Sequence, residues 1–376
     1  MFNSTEDEDI VNGEATDAYF LRTEDALDHA GKNPHVVADV SADQFTGNSH
    51  EVLAGVNDAS KLLAEATDDL DVWTLPEGSL FSGGPVMRIE GNYRDFARYE
   101  TSLLGFLSHA SGIATNAYEV TKEAREFDDL SVLSFGARHV NPKLAPVVER
   151  GALIAGFDGF SHVSAGRKLG REASGTTPHA LVIAFGSQED AWNAFNDSAP
   201  EDTNRVVIAD TFTDEADEAL RAARELGDDL DGVRIDTTGS RRGDFQHIIK
   251  EVRWKLNQEG FNDIGIYVSG GLDPDDVRQL GGIVDGVGVG GYVSNADPVD
   301  FSLDIVRRDG EAVTKRGKLP GVKTVYREDG EHVVETADAC DAGLFESVVE
   351  NGEVQKNYSI EEANNNLQND IETLEQ

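Results

Sequence analysis

Between residues 131 and 293 the chain repeats one pattern: a short β-branched run, a polar or glycine-bearing break, then a longer segment with apolar residues three and four apart. SVLSFGARH is followed by PKLAPVVERGALIAG, RVVIADTF by TDEADEALRAARELG, and GVRIDTTGS by RRGDFQHIIKEVRWKLNQEG. Ala216, Ala219, Leu220 and Ala223 share one helical face, as do Phe245, Ile248, Ile249 and Val252. Both sets follow the i, i+3, i+4, i+7 spacing of an amphipathic helix. DIGIYVSGG with LDPDDVRQLGG, and then DGVGVGGYV, close the series. A strand-helix unit recurring at about 25 residues predicts parallel strands joined by right-handed crossovers. Polar, charged and glycine residues gather where the strands end, which favours a barrel or near-barrel over an open sheet.

The flanks read differently. FSGGPVMRIEGNY has the alternation of a hairpin-forming β segment, and RYETSLLGFLSHASGIATNAYEVTKEA that of a long apolar helix or helix pair. The C-terminal YSIEEANNNLQNDIETLEQ has helical spacing with weak hydrophobicity, so its end is expected to fray.

Composition narrows the class. With 376 residues and 39% hydrophobic content the chain can bury a sizeable core. No apolar run reaches the roughly 18 residues of a membrane helix, and MFNSTEDEDI is acidic where a targeting peptide would be basic; a cytoplasmic location is expected. The single cysteine, Cys340, leaves no internal disulfide and no cysteine-rich zinc site. The 71 acids oppose 32 Lys and Arg, a formal charge of −39, and they are spread through periodic segments. That is the carboxylate-rich surface of a folded protein working in high salt, where screening removes self-repulsion. It argues against nucleic acid or an anionic membrane as partner.

Two segments break this rule. Residues 136 to 180 hold Arg138, Lys143, Arg150, Arg167, Lys168 and Arg171, with His139, His162 and His179, against only Glu149, Asp158 and Glu172. TKRGKLPGVKTVYR carries Lys315, Arg316, Lys318, Lys323 and Arg327 with no acid. Cations kept in an acidic chain imply either a strongly anionic ligand or salt-bridge partners among the surrounding acids.

Small motifs fall on the strand ends. SGTTPHA places His179 just after a turn of small residues, and SGG (269–271) and GVGVGG (286–291) follow the last two strands of the series. Bare amides there can cradle a phosphate, although tight turns also use glycine for its positive φ alone. Neither a P-loop nor a GxGxxG opening the first unit is present. Asp210 in VVIADTF and Asp236 in VRIDTTGS end apolar strands beside Thr211 and Thr237. Such carboxylates can bind sugar hydroxyls or Mg²⁺, or simply cap the next helix. Arg234 lies two residues before Asp236 and so on the same strand face, a cation beside an acid that suits a phosphorylated sugar.

FGARH (135–139), GFDGFS (156–161), SGTTPHA, ADTF (209–212), RIDTTGS (234–240), SGGL (269–272), GVGVGGYV (286–293) and KRGKLPGVKTVYR (315–327), with TDAYF near the start, occur in an order that resembles nicotinate phosphoribosyltransferases, particularly archaeal ones. The resemblance implies a type II phosphoribosyltransferase fold. That is an incomplete α/β barrel over 131–300, with an α/β domain built from 1–130 and the returning segment 301–376. It also implies a homodimer, or an oligomer of dimers, with active sites at the subunit interface.

The implied reaction joins nicotinate to phosphoribosyl pyrophosphate (PRPP), with Mg²⁺ and coupled ATP hydrolysis, to give nicotinate mononucleotide and pyrophosphate in NAD biosynthesis. By the same resemblance Arg138, with His139, meets nicotinate or the phosphates, Tyr19 reaches the pyridine ring from the partner subunit, and Phe135 covers its other face. Arg234, Asp236 and Asp210 hold the ribose or its metal, Thr176 lines the substrate site, and the turns at Gly270, Gly271, Gly290 and Gly291 take the 5′-phosphate. Arg138, Asp236 and His179 are the implied catalytic residues, His179 accepting a phosphoryl group from ATP. Thr237-Thr238 stands where many relatives have Ser-Gly, and one cysteine cannot build the zinc module of some archaeal relatives. The alternatives are quinolinate phosphoribosyltransferase and a non-catalytic sugar-phosphate-binding barrel.

Overall fold

The structure, a computed structural model, describes residues 3–42, 50–328, 331–336 and 343–375; Cys340 lies outside them. The chain divides into two units, Met1–Thr115 with Ala296–Gln376, and Asn116–Asn295, the division falling within the helix Glu100–Ala124.

The second unit is an incomplete α/β barrel. Its six strands run in the order Gly159–Phe160, Ser131–Ser134, Gly286–Val289, Gly265–Ser269, Gly232–Ile235, Val206–Ile208. All neighbours are parallel, so every strand ends at the same rim. Helices between them bury most of the faces that the spacing marks: Ala216, Ala219 and Ala223 on Glu215–Leu226, and Phe245, Ile249 and Val252 on Phe245–Gln258, while Leu220 and Ile248 are half-buried and Leu226 and Leu256 join the buried faces. Covered in this way, the strands read as continuous apolar runs rather than alternating ones. The two edge strands do not pair. Instead the SGTT segment spans the gap, with Ser174 N donating to Phe160 O (2.7 Å), Thr177 N to Val206 O (3.3 Å), and Ile208 N to Thr177 Oγ1 (2.8 Å). Gly288 is glycine for a packing reason, because a Cβ there would lie 2.3 Å from the Phe135 ring.

The first unit is a seven-stranded antiparallel sheet, ordered Glu311–Ala312, Phe301–Arg308, His35–Ala42, Gly84–Asn92, Leu70–Thr74, Glu346–Glu350, Glu353–Val354. The two ends of the chain interleave in one sheet. FSGGPVMRIEGNY is not a hairpin: Gly84–Asn92 is a central strand, and Leu80–Phe81 pairs instead with Glu51–Val52. The apolar stretch after it is one helix, Glu100–Ala124. The C-terminal helix Ile360–Glu375 is better held than its hydrophobicity suggests. It buries Ala363, Leu367 and Ile371 four residues apart, and Ser359 and Glu362 form a capping box at its start.

The basic segment 314–327 belongs to this unit, and there the salt-bridge alternative holds. Lys315 Nζ lies 2.7 Å from Asp304 Oδ1, Lys318 Nζ 3.5 Å from Asp304 Oδ2, Lys323 Nζ 3.4 Å from Asp39 Oδ2, and Arg327 Nη2 2.7 Å from Asp370 Oδ1. Asp39, also bound by Arg88 at 3.0 Å, and Asp304 are buried on adjacent strands, and carboxylates removed from water require such partners. Four of the five cations therefore have carboxylate partners within this unit.

Candidate active site

Side chains from neighbouring strand ends converge at the barrel rim. Arg234, on Gly232–Ile235, donates through Nε to Thr176 Oγ1 (2.7 Å), through Nη1 to Asp236 Oδ2 (2.8 Å) and Ser269 Oγ (2.8 Å), and through Nη2 to the Thr177 carbonyl (3.3 Å). One guanidinium thus ties three rim segments together, with Asp236 a quarter exposed at its side. The i, i+2 spacing read from the sequence brings the acid and the cation onto one face.

Asp210 is the buried member. Its Oδ2 accepts from Asp236 N (2.7 Å) and Thr237 Oγ1 (3.3 Å), and its Oδ1 lies 3.6 Å from His179 Nε2. Burial raises its pKa, opposed by the Asp236 amide and by His179. Neither Asp210 nor Asp236 caps a helix. Asp214 caps Glu215–Leu226 and Asp244 caps Phe245–Gln258, which removes the capping alternative.

His179 opens the helix His179–Phe185, with its side chain 37% exposed. Its Nδ1 is 3.1 Å from Thr211 Oγ1. The Thr211 hydroxyl is within hydrogen-bonding reach of the ring, whereas Asp210 Oδ1 lies beyond it and has no hydrogen-bond partner among the described residues.

The glycine turns differ. Gly270 (φ +101°) and Gly271 (φ +72°) hold backbone that other residues rarely adopt, and a Cβ on Gly270 would lie 2.4 Å from Asp236 Oδ1. Gly290 and Gly291 face His139, whose ring would lie 3.6 to 3.9 Å from a Cβ on either. Phe135 N donates to Val289 O (2.8 Å), and Arg138 and His139 are exposed on the turn Ala137–His139 that follows. Of the expected site residues, Phe135, Arg138, His139, Thr176, His179, Asp210, Arg234, Asp236 and the four glycines all lie at the strand ends of the barrel unit. Tyr19 belongs to the other unit, 57% exposed, with its hydroxyl donating to Asp17 Oδ2 (3.2 Å).

Four supporting residues escaped the sequence reading. Ser269 shares Arg234, and Arg242 bonds the carbonyls of Thr237, Ser269 and Gly270. Glu215 accepts from Thr237 Oγ1 (2.7 Å). Glu218, fully buried, accepts from the backbone amides of Thr211, Phe212 and Thr213 and so shapes the loop that meets His179. Glu218→Ala should cost about 2 kcal/mol by stranding those donors, read as a lowered urea midpoint.

Family models described as the quinolinate phosphoribosyl transferase N-terminal and C-terminal domains match residues 17–111 and 113–304. The nicotinate phosphoribosyltransferase of Bacillus subtilis (strain 168) is 30% identical over 275 residues, 68% of this chain and 54% of that protein. A Methanothermobacter thermautotrophicus protein, described as probable nicotinate-nucleotide pyrophosphorylase (carboxylating), is 26% identical over 288 residues, 76% of this chain and 92% of that protein. The crystal structure of nicotinate-nucleotide pyrophosphorylase from Pyrococcus furiosus matches with a TM-score of 0.93 and 40% identity, covering 100% of this chain and 99% of that one. The chain spans about half the length of the first curated relatives it matches, 54% and 57%. Both domain models match in sequence order, the second onto the barrel unit whose strand ends carry the candidate site, and the chain belongs to the quinolinate phosphoribosyl transferase family.

Proposed function

We propose that the protein transfers the phosphoribosyl group of PRPP to the ring nitrogen of a pyridine carboxylate, forming nicotinate mononucleotide and pyrophosphate in NAD biosynthesis. The observation that carries this is the Arg234–Asp236–Asp210 cluster beside the Gly270–Gly271 turn, a cation, two carboxylates and bare amides at one barrel rim. As the C1′–O bond to pyrophosphate breaks, positive charge grows on the sugar. Asp236 is placed to stabilise it, while fixed donors orient the ribose. Mg²⁺ would arrive with the pyrophosphate, which supplies most of its oxygen ligands, and Asp236 could add one. Among the described residues no three His, Cys, Asp or Glu side chains group as a metal cage of their own.

Two acceptors fit. Quinolinate, with release of CO₂, is supported by the family models and by the full-length likeness to the P. furiosus protein, and the comparisons weigh more toward it. Nicotinate with ATP coupling is supported by the B. subtilis relative and by His179, whose partly exposed ring meets the Thr211 hydroxyl with Asp210 nearby. In that reading a ring nitrogen attacks the γ-phosphorus, an N–P bond forms, the bond to ADP breaks, and the phosphohistidine is later hydrolysed. The exposed apolar side chains Val163, on the helix Val163–Leu169, Ile183 and Phe185, on the helix His179–Phe185, and Phe212, in the loop after Val206–Ile208, support a second subunit packing on this part of the barrel unit.

Pyrophosphate release in molar KCl, with nicotinate, nicotinamide and quinolinate compared with and without ATP, decides the acceptor. Release with quinolinate alone, accompanied by CO₂, selects the decarboxylating reaction. Release with nicotinate that ATP accelerates selects the coupled one, and γ-labelled ATP should then leave acid-labile label on wild type and none on His179→Ala. Pyrophosphate release with neither acid refutes the transferase reading.

A further inference from the structure

Arg242 ends a four-residue helical turn, Gly239–Arg242, set between the strand Gly232–Ile235 and the helix Phe245–Gln258. Its guanidinium lies over the Phe245 ring, 4.3 Å from the centroid, a cation–π contact that helps to hold it in place. From there Nε donates to the Thr237 carbonyl (3.1 Å), and Nη2 to those of Ser269 (3.2 Å) and Gly270 (2.7 Å). The segments that follow two adjacent strands are therefore joined by one side chain.

The consequence lies on the other side of those peptides. In a trans peptide the N–H points opposite to the C=O. A cation that draws the Ser269 and Gly270 carbonyls toward itself therefore turns the amides of Gly270 and Gly271 away from it. Among the described residues neither amide has an acceptor. A Cβ on Gly270 would touch both Asp236 Oδ1 (2.4 Å) and Arg242 Nη2 (3.0 Å), so the turn, the carboxylate and the cation meet at one point.

We propose that Arg242 is a positioning residue that presents the Gly270 and Gly271 amides to the phosphate monoester of a sugar phosphate. The identity of that sugar phosphate as PRPP rests on the function proposed above; the cradle does not. Arg242 acts through the backbone it holds, so its loss weakens phosphate binding and leaves the pyridine site alone. Lysine, a point charge with no planar fork, cannot grip three carbonyls from the face of a ring.

The test compares wild type, Arg242→Gln and Arg242→Lys by steady-state kinetics and by inhibition with ribose 5-phosphate. Both variants should raise KM for PRPP and Ki for ribose 5-phosphate about tenfold, with kcat and the KM for the pyridine acid within about threefold of wild type. A lowered melting temperature with unchanged KM and Ki would make Arg242 a structural staple only and overturn the proposal. In ¹⁵N-labelled wild type, ribose 5-phosphate should shift the Gly270 and Gly271 amide resonances ahead of others, and their failure to move overturns it even if the variants do not fold. Amides that respond in a protein releasing no pyrophosphate would leave the cradle standing and remove the transferase reading instead.

Discussion

Arg234→Met is expected to lower kcat/KM for PRPP by about 10²- to 10⁴-fold, the equivalent of roughly 3–5 kcal/mol for stripping the partner from a largely buried ion pair. The side chain is 11% exposed and satisfies Asp236, Ser269, Thr176 and the Thr177 carbonyl at once. Methionine fills much of the volume and supplies none of the donors. Asp236 would then face the rim without a cation, and the SGTT segment that bridges the barrel gap would lose two of its hydrogen bonds. Arg234→Lys should recover little, since one ammonium cannot replace a fork that reaches four acceptors. Pyrophosphate release measured beside the melting temperature separates lost chemistry from lost fold. A methionine variant within threefold of wild-type kcat/KM would remove Arg234 from the substrate site.

What the sequence revealed and what it hid follow from the range of the interactions. Strand-helix alternation and the i, i+2 pairing of Arg234 with Asp236 are local, and both survive in the structure. The partner of Lys323 is Asp39, which is brought near only when the N-terminal strand and the C-terminal part of the chain fold into one unit, and Arg327 meets Asp370 on the C-terminal helix. Asp304 is close in sequence to Lys315 and Lys318, but among so many acids nothing in the sequence marks it as their buried partner. RRGDF reads as the start of a helix, but Gly243 (φ +56°) breaks it before the Asp244 cap, and that break frees Arg242 to turn back over the strand ends.

The acids were hidden for a different reason. In a chain with 71 of them, a buried glutamate looks like one more surface carboxylate. Glu215 and Glu218 sit in the first turn of an acidic helix, where a favourable helix dipole is explanation enough. Only the structure shows that both face inward and hold the loops at Thr211 and Thr237. An acidic composition therefore describes the exterior of this protein while concealing the carboxylates that shape its interior.

Glu149 is the extreme case and yields a test of stability against pH. It lies on the helix Ala145–Ile154, wholly buried, and neither carboxyl oxygen has a hydrogen-bond partner of normal geometry; the Ser134 hydroxyl is the one neighbour that favours its charged form. Burial pushes its pKa up to about 7 from an ordinary 4.5. Because the folded state holds the proton more tightly than the unfolded chain, stability is greatest below the unfolded value and falls as pH rises through the folded one. For this shift the loss between pH 5 and pH 8 is about 2 to 3 kcal/mol. Glu149→Gln keeps the shape without the titration, so it should match wild type near pH 5 and exceed it by about that amount at pH 8. Denaturant melts in molar KCl isolate the effect, since salt screens the surface carboxylates far more than a buried one. A wild-type minus variant difference that stays flat from pH 5 to pH 8 would mean that Glu149 is already ionised in the native protein. A cation or polar group would then have to face it within the helix and sheet that enclose it.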